Sequence, residues 1–203
     1  MEHMANYVRL RGTLGGMPRF SHENHGKRFF QLFLEVPRLS GAVDILPVIA
    51  EEGILNSADL GCGALFTVTG QVRSHNIRSD GRRHLLIFVF ASSLVCEDGE
   101  PLNEVTVNGT ICREPTYRRT PLGREICDVM LAVPRAFKRA DYLPCILWGK
   151  TAQEISRCHT RDNLTISGRL QSRVYTKLTE TGSQERTAYE ISALTAETTD
   201  FTG

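Results

Sequence analysis

The chain has no apolar run approaching the ~18 residues that a membrane-spanning helix needs. Its first residues, Met1-Glu2-His3-Met4, lack the basic and apolar regions of a secretory signal. A soluble, cytosolic protein is therefore expected. The chain also lacks a strong charge of either sign, with 24 Lys+Arg against 23 Asp+Glu in 203 residues. No G-x-S-x-G, H-E-x-x-H, P-loop or G-x-G-x-x-G is present, and no carboxylate pair stands out as an acid/base couple. Neither an enzyme nor a cofactor is expected.

Cysteine is present, but not in a pattern that implies metal or disulfide chemistry. Cys62, Cys96, Cys112, Cys127, Cys145 and Cys158 are scattered, and no two form a C-x-x-C pair. Several fall in apolar runs such as Cys145-Ile146-Leu147-Trp148, where a free thiol acts as a small hydrophobe. His22 and His25 lie close together on a hairpin tip, without a Cys or carboxylate to complete a tetrahedral site. No metal is expected.

What the chain does have is an internal repeat. Shifting it by 97 residues lays Asn6–Glu51 on Asn103–Trp148 without a gap, and 14 of 46 positions are identical. Ordinary residue usage, at ~6% chance identity, would give about three. The match resumes at Thr67-Val68-Thr69-Gly70 against Thr165-Ile166-Ser167-Gly168. The acidic Gly/Pro segment Cys96–Pro101 marks a boundary, so units over 1–98 and 101–197 are expected.

Each unit reads as strand-rich. Val105, Val107 and Ile111 define one half-buried face. Runs at Ile126–Val133, Tyr142–Trp148, Leu164–Leu170 and Ala188–Ile191 give further strands, with a helix-compatible stretch from Thr151 to Cys158. The last two strands are joined by a hairpin with its tip near Glu180–Ser183. Five strands with one helix between the third and fourth is the order of an OB-fold barrel. The expected fold is all-β, two tandem five-stranded OB barrels. Mid-strand Gly70 and Gly168 fit the bends of a small barrel.

Asn103-Glu104-Val105-Thr106-Val107-Asn108-Gly109-Thr110-Ile111 and Glu114-Pro115 resemble the opening of bacterial single-stranded-DNA-binding proteins. Tyr142–Lys150, Asp162–Leu170 and Gln184–Ile191 are similar to three later segments of that family, in the same order. The resemblance covers the second unit and reaches the first through the repeat. It implies binding of single-stranded DNA in replication, recombination or repair, by stacking bases on aromatics and neutralising phosphates with cations.

Carried over residue by residue, the stacking positions fall on Tyr142, Trp148, Tyr175 and, in the loop before Tyr142, Phe137. The nearby cations are Arg135, Lys138, Arg139, Lys150, Arg169, Arg173 and Lys177, with Arg118, Arg119 and Arg124 flanking the first hairpin. By strand pattern alone, Trp148 reads as either a core residue or an outward one; alternation with Leu147 favours outward. Tyr142 and Tyr175 are equally readable as cross-strand packing residues, and Tyr117 and Tyr189 as structural.

In the first unit the stacking positions become Ser40, Ile45, Glu51 and Ile77. That unit is expected to keep the barrel without the platform, its Phe29, Phe30, Phe33, Phe66, Phe88 and Phe90 serving as core or interface. Residual phosphate contact there falls to Arg73, Arg78, Arg82 and Arg83. The resemblance further implies a homodimer with four OB barrels, and replication or recombination proteins as partners. The family's long linker and acidic tip are not seen after the last strand, where Asp200-Phe201 is a faint echo, so an accessory paralogue is expected. The reading from another class is an OB-fold protein-interaction adaptor with weak nucleic-acid affinity; RNA is a third ligand that stacking alone does not separate from DNA.

Overall fold

The computed structural model describes residues 5–58, 60, 65–79, 81–179 and 182–199, with backbone alone for 79, 82, 83 and 177–179. Cys62, the hairpin tip at 180–181 and the Asp200-Phe201 pair lie outside the described residues.

The alternation of Val8 and Leu10, and of Val105 and Val107, produces the two central strands β1 (Asn6–Leu14) and β7 (Leu102–Ile111). The first unit continues with β2 (Arg19–Asn24), β3 (Lys27–Pro37), β4 (Val43–Glu51), α1 (Glu52–Asn56), β5 (Phe66–Ser79) and β6 (Arg82–Cys96). The second continues with β8 (Thr116–Arg119), β9 (Glu125–Arg135), β10 (Arg139–Trp148), α2 (Gly149–Ile155), β11 (Asn163–Thr179) and β12 (Gly182–Thr198).

In the second unit β7, β11, β12, β10 and β9 pair in turn, and β9 returns to β7 through Thr110↔Ala132 and Ile111↔Leu131. The ring is closed by five strands, with the parallel pair β10–β12 on one side. In the first unit β1, β5, β6, β4 and β3 close in the same order. These are OB-fold barrels. Beyond the expected strands, β2 and β8 add a short ribbon at the edge of each barrel. Helix α2 starts two residues earlier than its polar stretch suggested, directly after Trp148.

Leucine, isoleucine and valine side chains fill both barrels, among them Leu10, Leu34 and Leu46 in the first and Leu131, Leu147 and Leu170 in the second. The bends fall where expected. The β11–β12 register shifts at Ser167/Gly168, and a Cβ on Gly168 would stand 2.2 Å from the Ser192 carbonyl oxygen. Gly70 faces the same restriction from Phe90.

The barrels are joined edge to edge. Strands β1 and β7 run antiparallel, with Asn6↔Val107, Val8↔Val105 and Leu10↔Asn103 in register. Each barrel also hydrogen-bonds a strand of the other. Asp44 of the first accepts the backbone N–H of Ser172 at 2.6 Å; Asp141 of the second accepts that of Ser74 at 2.8 Å. Both carboxylates are buried and both have arginine partners, as a buried charge requires.

The cysteine reading needs one correction. Cys96 is disulfide-bonded rather than free. Spacing along the chain says nothing about two thiols brought together from separate segments. Cys112, Cys127, Cys145 and Cys158 are free; Cys127 and Cys145 pack in the core, where burial pushes the Cys127 thiol up to about 11. Among the described residues no group of His, Cys, Asp and Glu is placed to hold a metal. His22 instead stacks on Phe29, ring centroids 4.9 Å apart.

Candidate nucleic-acid interface

Strand alternation decides which side chains face out of the second barrel. Along β10, Leu143, Cys145 and Leu147 enter the core, so Tyr142 and Trp148 project from the opposite face, 43% and 37% exposed. The parallel pair Ile146↔Ser192 sets β12 beside them, and the indole Nε1 of Trp148 donates to Ser192 Oγ at 3.1 Å. On the far side of β12 comes β11, with Arg169↔Ser192, Arg173↔Ala188 and Tyr175↔Arg186. Tyr142, Trp148, Arg169, Arg173 and Tyr175 therefore share one outer face spread over β10, β12 and β11. Tyr175 is 37% exposed, and the Arg173 guanidinium lies 5.7 Å from its ring centroid.

The indole hydrogen bond removes the choice left open for Trp148. Its polar edge is tied to the sheet while the ring remains solvent-accessible, an arrangement that presents a π-face at little further entropic cost.

Phe137 stands apart from this face at the β9–β10 turn. It is 93% exposed and holds φ at +62°, with Lys138 at +54°. A bulky residue in the left-handed region is strained by roughly 1–2 kcal/mol. Lys138 and Arg139 are exposed beside it, so the turn presents an aromatic between cations.

The remaining cations divide. Arg118 reaches the same outer face from β8 but pairs with Asp128 at 2.7 Å. Arg119 pairs with Glu125, and Lys150 lies on α2 within 3.7 Å of Glu154. Arg124 is exposed at the hairpin turn. Arg135 does not join the face: it lies against buried Asp141 between the barrels, Nη1 to Oδ1 3.3 Å. The side chain of Lys177 lies outside those described.

Sequence reasoning missed Glu190, a carboxylate in the middle of the outer face. It accepts from Gln171 Nε2 at 2.9 Å and lies 3.7 Å from Arg173. It also missed Ser192, and it read Arg73 as a cation of the first unit alone, where the structure sets it against Asp141 of the second barrel. The signal for all three is the pairing of β12 with β10 and the hydrogen-bonded contact of β5 with β10, which no local pattern carries.

In the first barrel the corresponding face is different. Ile45 stands exposed where the second barrel has Tyr142, and Glu51, in place of Trp148, pairs with Lys27 at 2.9 Å. Of the phenylalanines, Phe29 and Phe66 are buried. The β5–β6 register sets Phe88 and Phe90 at the positions of Glu190 and Ser192, half-buried on the outer face, with Arg73 5.8 Å from the Phe90 ring centroid.

Residues 102–199 match the single-strand binding protein family. Single-stranded DNA-binding protein B of Bacillus subtilis is 38% identical over 80 residues, which cover 36% of this chain and 71% of that protein. The chain belongs to the single-strand binding protein family. A second family member, single-stranded DNA-binding protein 1 of Staphylococcus aureus, is 33% identical over 81 residues, and the match spans 48% of its length. The fold likeness covers both barrels. A deletion variant of the single-stranded DNA binding protein from Thermus aquaticus superposes with a TM-score of 0.76 over 97% of this chain and 96% of that one, at 25% identity. The wild-type Thermus aquaticus protein gives a TM-score of 0.77 at 24% identity. Family membership thus rests on sequence in the second unit, and the two-barrel architecture on structure throughout.

Proposed function

We propose that this protein binds single-stranded DNA without strong sequence preference, mainly through the second barrel. The observation that carries the reading is the single outer face that holds Tyr142, Trp148 and Tyr175, all exposed, beside Arg169 and Arg173. Every base has a π-face, so stacking on such a platform tolerates any sequence and contributes roughly 1–3 kcal/mol per base. The arginines and the Phe137–Arg139 turn follow the phosphates, which makes binding salt-dependent.

The family relatives named above support the same ligand. Cytoplasmic work in replication, recombination or repair accords with that reading, as does a homodimer that brings four barrels together. Residues 1–98 and 101–197 act as two OB domains, the first diverged from the platform of the second.

A protein-contact reading is favoured for the first barrel alone. Phe33, Val43, Ile45 and Leu86 stand exposed there, and the Trp148 position is acidic. An adaptor that binds partners through that face fits these residues better than a DNA platform does.

Fluorescence anisotropy of labelled oligo(dT), titrated at roughly 50 and 300 mM salt with unlabelled RNA as competitor, tests the ligand. Submicromolar binding that weakens with salt and resists RNA supports single-stranded DNA. Absence of binding at low salt transfers the function to the adaptor reading.

A further inference from the structure

The two barrels repeat the same charged cluster between them, and the repeat is broken in one place. On one side Arg38 holds Asp44 in a bidentate pair, Nε at 2.7 Å and Nη2 at 2.5 Å. The position opposite is Gln171, which turns away to Glu190. One arginine meets one carboxylate, and the charge is balanced. On the other side Arg135 and Asp141 are the repeat equivalents of Arg38 and Asp44, but the equivalent of Gln171 is Arg73.

Two guanidiniums therefore share Asp141, and both of their contacts with it are long. Arg135 Nη1 lies 3.3 Å from Oδ1 and Arg73 Nη1 3.4 Å from Oδ2, while the backbone N–H of Ser74 takes Oδ1 at 2.8 Å. Arg73 Nη2 donates to Gln71, and its Nε is buried with no hydrogen-bond partner. These side chains line a cavity of about 280 Å³ together with Asn6, Pro134 and Ala136. Burial lowers the Arg73 pKa from its ordinary value; Asp141 opposes that shift and Arg135 adds to it. The cluster carries one positive charge more than its mirror image, beside open volume. A guanidinium fork in such a setting recognises a phosphate oxygen pair.

We infer that the cavity between the barrels, walled by Arg73 of the first and Arg135 of the second, binds a phosphodiester group of the bound single strand. This rests on the proposed function and makes the site composite. The rim residue Ala136 precedes exposed Phe137, and the Tyr142 N–H donates to Ser74 Oγ at 2.7 Å, beside Arg73. A strand with bases on Phe137 and Tyr142 thus runs its backbone past the cavity mouth. The first barrel, without its own platform, supplies a cation to the second.

The test compares wild type with Arg73→Gln, which copies the charge-balanced mirror site, in oligo(dT) titrations at several salt concentrations. Loss of one phosphate contact is expected to flatten the slope of log K against log salt by about 0.7, with Trp148 quenching at saturation unchanged. If Arg73→Gln fails to fold by circular dichroism, Arg135→Gln removes the same charge from the other wall and is expected to give the same flattening. Equal slopes with quenching intact overturn the cavity assignment and leave the stacking platform standing. No quenching in the wild type overturns the platform and this inference with it. An Arg73-dependent rise in melting temperature with inorganic phosphate, alongside equal oligo(dT) slopes, identifies a free-anion site and overturns the phosphodiester assignment.

Discussion

Val8 and Val105 stand directly opposite each other where β1 meets β7, and they are the same position of the 97-residue repeat. The local two-fold axis of the molecule therefore passes between these two valines. Several hydrogen-bonded contacts placed about it come in pairs. Asn6 exchanges two hydrogen bonds with the backbone of Val72, and Asn103 does the same with Leu170. Asp44 and Asp141 each accept a backbone N–H from a strand of the other barrel. A covalent duplication has reproduced within one chain the kind of isologous contact that two identical subunits make.

Replacement of Asp44 by Asn is expected to destabilise the protein by about 2–4 kcal/mol, because Arg38 loses its buried partner. The effect is pH-dependent. Burial pushes the Asp44 carboxyl up, but hydrogen bonds from Arg38 and Ser172 outweigh it, and the net pKa lies below the ordinary value. A depressed folded-state pKa contributes stability that is fully present above the unfolded value of about 4 and is lost as pH falls through the folded value. Urea denaturation at neutral and acidic pH is expected to show wild type and Asp44→Asn converging in acid.

Gly168→Ala is expected to lower stability by about 1–3 kcal/mol, since a new methyl group collides with backbone and only a main-chain shift relieves it. The Cβ would meet the Ser192 carbonyl oxygen at 2.2 Å, on the residue that holds the Trp148 indole. Chemical denaturation measures the loss, and a red-shifted Trp148 emission is expected to accompany it.

Phe137→Gly is expected to move stability and binding in opposite directions. Glycine relieves the positive φ and gives up little burial at a 93% exposed position, so a gain of about 0.5–1 kcal/mol is expected. Oligo(dT) affinity is expected to fall by roughly 1–3 kcal/mol through loss of a stacking ring. A variant that is stabilised with unchanged affinity would remove Phe137 from the interface.

Much of this was legible along the chain. Strand alternation places Leu143 and Leu147 inward, and with them Tyr142 and Trp148 outward, without any coordinates. The repeat fixes which residues correspond, so the substitution of Glu51 for Trp148 is visible at once. What alternation does not carry is pairing between distant strands. Glu190 enters the outer face only because β12 lies between β10 and β11. Arg135, read as a surface cation, turns inward because its carboxylate partner sits six residues on, across a tight turn and against the other barrel. Arg73 belongs to the second barrel's surroundings through a contact that spans 68 residues of chain. Cys96 was misread for a related reason: disulfide pairing depends on proximity in space, which scattered spacing conceals.

The most direct test of the account is the fluorescence of Trp148, the single tryptophan of the chain, during titration with oligo(dT) at low and high salt. Stacking of a base on the exposed indole predicts strong quenching that saturates, weakens as salt rises, and is matched by a loss of roughly 1–3 kcal/mol in affinity for Trp148→Ala. Tight binding of oligo(dT) with no change in Trp148 emission, and with full affinity retained in Trp148→Ala, would contradict the account and move the interface elsewhere on the molecule.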